Sequence, residues 1–103
     1  MARSRIKALS VRQPHASQIA AGVKTLEYRS WATKHRGDLL ICAASYVPRL
    51  RQHRDLPRGC ALALVTLTDV VEVEPGFHAW MLSNLRLVVP SIPVKGRQRL
   101  WGV

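Results

Sequence analysis

Four groups of side chains in this sequence have the types and spacing that do chemistry. The first is Ser10-Val-Arg-Gln-Pro-His15. Pro14 suits the first turn of a helix, where its fixed φ and missing N–H are tolerated. The free N–H groups of such a turn, together with the helix dipole, favour an anion such as a phosphate. Arg12 and Gln13 lie beside that end and would add side-chain donors. The alternative is a helix entrance whose polar groups serve only their own backbone. The second group is Gly22-Val-Lys-Thr-Leu-Glu-Tyr-Arg29. In extended backbone Thr25, Glu27 and Arg29 share one face and Leu26 and Tyr28 the other, with Lys24 at the turn before them. A lysine beside a carboxylate and a hydroxyl in a half-buried cleft could do acid–base work, because burial pulls a lysine pKa down. The same residues also suit a plain ion pair of Glu27 with Lys24 or Arg29.

Tryptophans form the third group. Trp80 and Trp101, in Ala-Trp-Met-Leu and Leu-Trp-Gly-Val, read as core. Trp31 stands in a polar, basic stretch before Lys34-His35-Arg36. It is a candidate either for stacking on an unpaired base, worth about 1–3 kcal/mol, or for plugging the end of a barrel. The fourth group is the loop holding Arg49, Arg51, Arg54 and Arg58, with Asp55 as its one opposing charge. Phosphate contact and a solvated loop are its two readings.

The whole chain supplies the context for these groups. Its 103 residues carry 16 Lys+Arg against 6 Asp+Glu, a formal net charge of +10. With so few carboxylates, most of the cations have no internal partner. Twelve of the sixteen are arginine, whose planar fork matches phosphate better than a lysine ammonium does. A folded basic domain of this kind points to RNA or single-stranded DNA as partner, with anionic membrane second. No apolar run approaches the ~20 residues of a membrane span, so no membrane partner is expected. Cys42 and Cys60 sit in apolar segments and read as small core residues, and the four histidines are scattered, so neither a metal site nor a cofactor is expected. The basic N-terminus is followed by no apolar stretch of a secretory signal, and the expected location is cytoplasmic.

An apolar fraction of 48% and this length fit one domain over residues 1–103. Ile6–Val11 reads as a strand. Pro14–Ala21 reads as a helix, with Ala16, Ile19, Ala20 and Val23 on one face and Gly22 as its stop. Thr25–Arg29, Leu39–Ala44 and Cys60–Val73 read as further strands, with Tyr46–Gly59 a loop. His78–Leu82 and Leu85–Val89 suggest a hairpin about Ser83-Asn84, Pro90 and Pro93 an extended edge, and Arg97–Val103 a last strand. Many short strands with one or two short helices predict a mostly β (α+β) chain closed into a small barrel. Arg3, Arg5, Arg97 and Arg99 are left as surface charge with no assigned task.

Taken in order, several stretches resemble the ASCH domain family. They are Ala8-Leu-Ser-Val-Arg-Gln-Pro-His-Ala16, Gly22-Val-Lys-Thr-Leu-Glu-Tyr-Arg-Ser-Trp31 and Arg36-Gly-Asp-Leu-Leu-Ile41 in the front half. Gly59, Leu64-Val-Thr-Leu-Thr-Asp-Val-Val-Glu72, Ala79-Trp-Met-Leu82, Pro93-Val-Lys-Gly96 and Leu100-Trp101 carry the back half. The resemblance implies a PUA-like β-barrel with a helix at a cleft, and an association with RNA or single-stranded nucleic acid; some members are ribonucleases. Under it, Arg12, Gln13, Pro14, Lys24, Arg29 and Trp31 would line a binding cleft while Arg49, Arg51, Arg54 and Arg58 track the backbone of the strand. One branch of the family hydrolyses the acetyl amide of N4-acetylcytidine with a lysine after the helix, a threonine three residues on and a distant glutamate. Lys24 matches that lysine, but Glu27 occupies the threonine position. An enzyme built on this pattern would use Lys24 and Glu27, with Thr25 as its hydroxyl.

Overall fold

A computed structural model describes residues 6–46, 49 and 53–102. Six strands and one helix follow in the order β1 (Lys7–Val11), α1 (His15–Ala20), β2 (Leu26–Arg29), β3 (Gly37–Ala43), β4 (Cys60–Glu74), β5 (Phe77–Pro93) and β6 (Leu100–Gly102). They form one mixed sheet in the order β2-β5-β4-β3-β1-β6. β1 runs parallel to β3, which requires a crossover connection, and α1 lies within it. The other neighbours are antiparallel.

Alternation along the strands sorts the side chains onto two faces. Leu9, Val11, Leu39, Ile41, Val65, Leu67, Trp80 and Leu82 form the main core, covered by Ala16 and Ile19 of α1. Ala8, Cys42 and Ala61 form a smaller cluster beneath Leu40, Val94 and Trp101. Both cysteines are thus buried free thiols. The helix ends at Gly22, whose φ of +77° only glycine adopts without strain. Val23, expected on the apolar face of the helix, lies past that stop and is exposed.

The sheet is open, not the closed barrel expected from the sequence: β2 and β6 are its two edges and no ladder joins them among the described residues. It is nevertheless strongly curled. Three strands separate β2 from β1, so a flat sheet would hold them about 19 Å apart at ~4.8 Å per strand. Yet Arg29 of β2 donates from Nη2 to the carbonyl of Ser10 in β1 at 2.8 Å. The curl has a cause in β4 and β5, whose pairing shifts register at four places. Each bulge bends the ribbon and increases its twist.

One of those bulges replaces the hairpin expected at Ser83-Asn84. Thr66 faces Ser83 and Leu64 faces Arg86, so β5 carries one residue more than β4 across that interval. Asn84 absorbs the extra residue at φ +52°, a conformation asparagine tolerates. The chain continues as one 17-residue strand, and the reversal falls instead between Glu74 and Phe77 at Pro75-Gly76. β6 likewise begins only at Leu100, leaving residues 94–99 outside any strand.

Candidate functional site

The curl brings the end of β1, the start of α1, strand β2 and residues 97–99 around one cleft of about 580 Å³. Its walls include Ser10, Arg12 and His15 on one side, Glu27, Arg29 and Trp31 on the other, and Arg97 and Arg99 at the rim. Glu27 and Arg29 share one face of β2 because they are two residues apart. They pair across the ladder with Trp80 and His78.

Glu27 is the buried charge of this site, with its side chain 9% exposed. Lys24 Nζ lies 3.2 Å from its Oε1 and Arg29 Nη2 lies 3.0 Å from its Oε2. Lys24 also approaches Nδ1 of His15 at 3.2 Å. An ammonium can only donate, so that imidazole nitrogen is the acceptor and carries no proton in this contact. Arg29 joins both sides of the cleft, since the same Nη2 reaches Glu27 and the Ser10 carbonyl. Its Nε is buried without an acceptor among the described residues. The second reading offered by the sequence, a Glu27 ion pair, is therefore realised with both cations at once.

Around this cluster the cations outnumber the single carboxylate. Arg12 is exposed and lays its guanidinium over the Tyr46 ring, 4.1 Å from the centroid. Arg99 lies over the Trp31 ring at 4.9 Å. Trp31 is half-buried and meets Trp80 edge-on, with centroids 4.8 Å apart and planes at 81°. Trp80 Nε1 donates to the Trp31 carbonyl at 3.2 Å, and Trp80 is fully buried. Trp80 thus fixes the stretch that presents Trp31 to the cleft.

The remaining expected site residues lie elsewhere. Gln13 is buried: its Nε2 donates to Ser17 Oγ and to the Pro57 carbonyl, and its Oε1 accepts the Ser17 N–H. Those bonds tie the entrance of α1 to the basic loop and leave Gln13 off the cleft wall. Pro14 is the N-cap residue of α1 and makes no side-chain cap bond. Thr25 precedes β2, accepts the Leu82 N–H with its carbonyl at 2.9 Å, and lines a separate hollow of about 160 Å³ with Gly22 and Leu85. Lys24 lines that same hollow, and neither residue lines the cleft; Lys24 meets it only through Glu27 and His15. Arg49, Arg54 and Arg58 are exposed and none lines the cleft, while Arg58 donates to the Arg54 carbonyl at 2.8 Å. Arg51 lies outside the described residues.

His15, Arg97 and Arg99 are the site residues that sequence reasoning missed. The available signal was Gly96, which lets the chain pass close to β1: a Cβ there would sit 2.9 Å from Ser10 Oγ. That close approach carries Arg97 and Arg99 to the cleft. Among the described residues, no group of three His, Cys, Asp or Glu side chains could hold a metal ion. No helix among them is long and apolar enough to cross a membrane.

Residues 9–85 match the sequence profile of the ASCH domain. The chain belongs to the ASCH domain family. Curated relatives of this ASCH domain include activating signal cointegrator 1 from Homo sapiens, 39% identical over an alignment that covers 59% of this chain and 14% of that protein. The Mus musculus protein of the same name is 38% identical with the same coverage. The chain therefore spans about a seventh of the length of the relatives it matches. In this ASCH domain the matched stretch holds Arg12, His15, Lys24, Glu27, Arg29 and Trp31, whereas Arg97 and Arg99 lie beyond it.

Proposed function

We propose that this ASCH domain binds RNA or single-stranded DNA, with a nucleotide held in the cleft between β1 and β2. The observation that carries the reading is the surplus of Arg12, Arg97 and Arg99 around a cleft whose one carboxylate is already matched by Lys24 and Arg29. Phosphates are the anions that such a surplus of guanidinium groups suits. Trp31 adds a flat surface for a base, which makes an unpaired strand a better fit than a duplex. Arg49, Arg54 and Arg58 follow the strand outside the cleft and add affinity without selectivity. With about four phosphates neutralised, log K falls against log salt with a slope near −3. Fluorescence anisotropy on a labelled single strand across a salt series measures this. A flat response refutes the reading.

A hydrolytic reading draws on one observation, the contact chain from His15 through Lys24 to Glu27. Acid–base work on RNA or on a modified nucleoside could use such a chain without a metal. Its difficulty is the placement, because Lys24 and Thr25 line the other hollow whereas His15 and Glu27 line the cleft. Incubation of labelled RNA and of N4-acetylcytidine in chelator, beside a Lys24→Ala variant, separates the two readings. Turnover that disappears in the variant favours the enzyme, and no turnover leaves the binding domain.

A further inference from the structure

Arg99 stands out among the arginines of the cleft. Its guanidinium covers the Trp31 ring, and it has no carboxylate partner among the described residues. Its backbone is at φ +58°, a region that residues with a Cβ rarely adopt. It sits at the end of residues 94–99, which belong to no strand, and it is exposed. Trp31 is the fixed half of the pair, held by the buried Trp80 through a hydrogen bond and an edge-on ring contact.

A guanidinium and a nucleobase are both flat and both stack on indole, so they compete for one surface. Resting on the binding reading above, we propose that Arg99 gates the stacking surface of Trp31. In the free domain its guanidinium occupies the place of the base. An entering nucleotide takes that place, and the displaced guanidinium turns to the phosphate of the same nucleotide. The uncompensated charge favours that second position, since Arg99 exchanges a ring contact for a charge-assisted hydrogen bond. The upstream end of the segment passes too close to Ser10 for a side chain at Gly96, so the Arg99 side chain and the backbone near it supply the movement. Arg99 lies outside the stretch matched by the family profile, whereas Trp31 lies within it.

Two probes separate the gate from simple charge. Adenosine offers a base without phosphate, and a labelled hexa-adenylate RNA offers both. Removing the gate with Arg99→Gln raises adenosine affinity about two- to fivefold, the equivalent of an exposed cation–π contact. The same variant makes the salt slope for hexa-adenylate shallower by about 0.7, one phosphate contact on a single strand. Trp31→Leu abolishes adenosine binding with or without Arg99. Binding is followed through the indole N–H resonances, so stacking on Trp31 is seen directly. Adenosine affinity that is undetectable, unchanged or lowered in Arg99→Gln overturns the gate, as does adenosine binding that survives Trp31→Leu. Salt-dependent binding of hexa-adenylate to the unaltered chain would still sustain the binding reading in those cases. Failure of the unaltered chain to bind hexa-adenylate overturns both.

Discussion

Glu27→Gln acts on stability and binding in opposite directions. The substitution keeps the shape of the side chain and removes its charge, leaving Lys24 and Arg29 facing each other without a counter-ion. Both cations are about one-fifth exposed, at 20% and 22%. Breaking a fully buried pair costs about 3–5 kcal/mol. Water reaches these cations, and the amide oxygen still accepts one hydrogen bond, so the loss here is about 2 kcal/mol after allowing for screening. For a domain of this length that lowers Tm by about 8–16 °C. Binding moves the other way, because the cleft loses its one negative charge. A unit charge about 10 Å from a phosphate, at an effective dielectric between 20 and 80, is worth about 0.4–1.7 kcal/mol. The variant therefore binds a labelled single strand about two- to eighteenfold more tightly at low salt. Urea unfolding and fluorescence anisotropy on the same preparation test both halves. A variant as stable as the parent refutes the packing argument. Weaker binding by a folded variant refutes the placement of Glu27 in an anion-binding cleft.

Three further perturbations test other parts of the structure. Gln13→Ala strands the Ser17 N–H and the Pro57 carbonyl and costs about 1–3 kcal/mol, read by urea unfolding; the salt slope of binding stays unchanged because Gln13 is off the cleft wall. Burial, reinforced by the neighbouring Cys60, pushes the Cys42 thiol from 9.0 up to about 11. The folded state therefore resists ionisation: this contribution to stability is complete below pH 9 and is lost between pH 9 and about 11, so the difference in unfolding free energy between the parent and Cys42→Ala narrows over that window. Asp38→Ala removes an exposed 3.0 Å pair with Arg86 and changes stability by less than about 1 kcal/mol in thermal unfolding.

The elements, and the placement of Glu27 and Arg29 in β2, were legible because local rules govern them; Thr25, expected on the same face, precedes the strand and lines another hollow. Alternation placed Glu27 and Arg29 on one face, and helical spacing found Ala16 and Ile19. Trp80 read as core from its apolar flanks and is fully buried. The register of β4 and β5 was not legible, because Ser83-Asn84 is as good a bulge as a turn and only the facing strand decides between them. Neither was the open sheet: strand length and bulge positions set curvature, and both depend on pairing between residues far apart in sequence. Gln13 looked like a cleft donor until Pro57, forty-four residues away, was found to accept from it. Arg97 and Arg99 were lost for the same reason, since their role depends on where the chain returns beside Ser10.

The open sheet has a thermodynamic consequence. Its free edges are β2 and β6, and past the end of the β1–β6 ladder Arg29 reaches from β2 to Ser10; the proposed ligand lies beside that bridge. A strand of nucleic acid there would take the part of the missing ladder, tying together two regions of the sheet that backbone hydrogen bonds leave apart. Occupancy then reports on the integrity of the whole sheet, because both walls exist only when every intervening strand is paired. At a ligand concentration one hundred times Kd, such a clasp adds about 2.7 kcal/mol to the folded state.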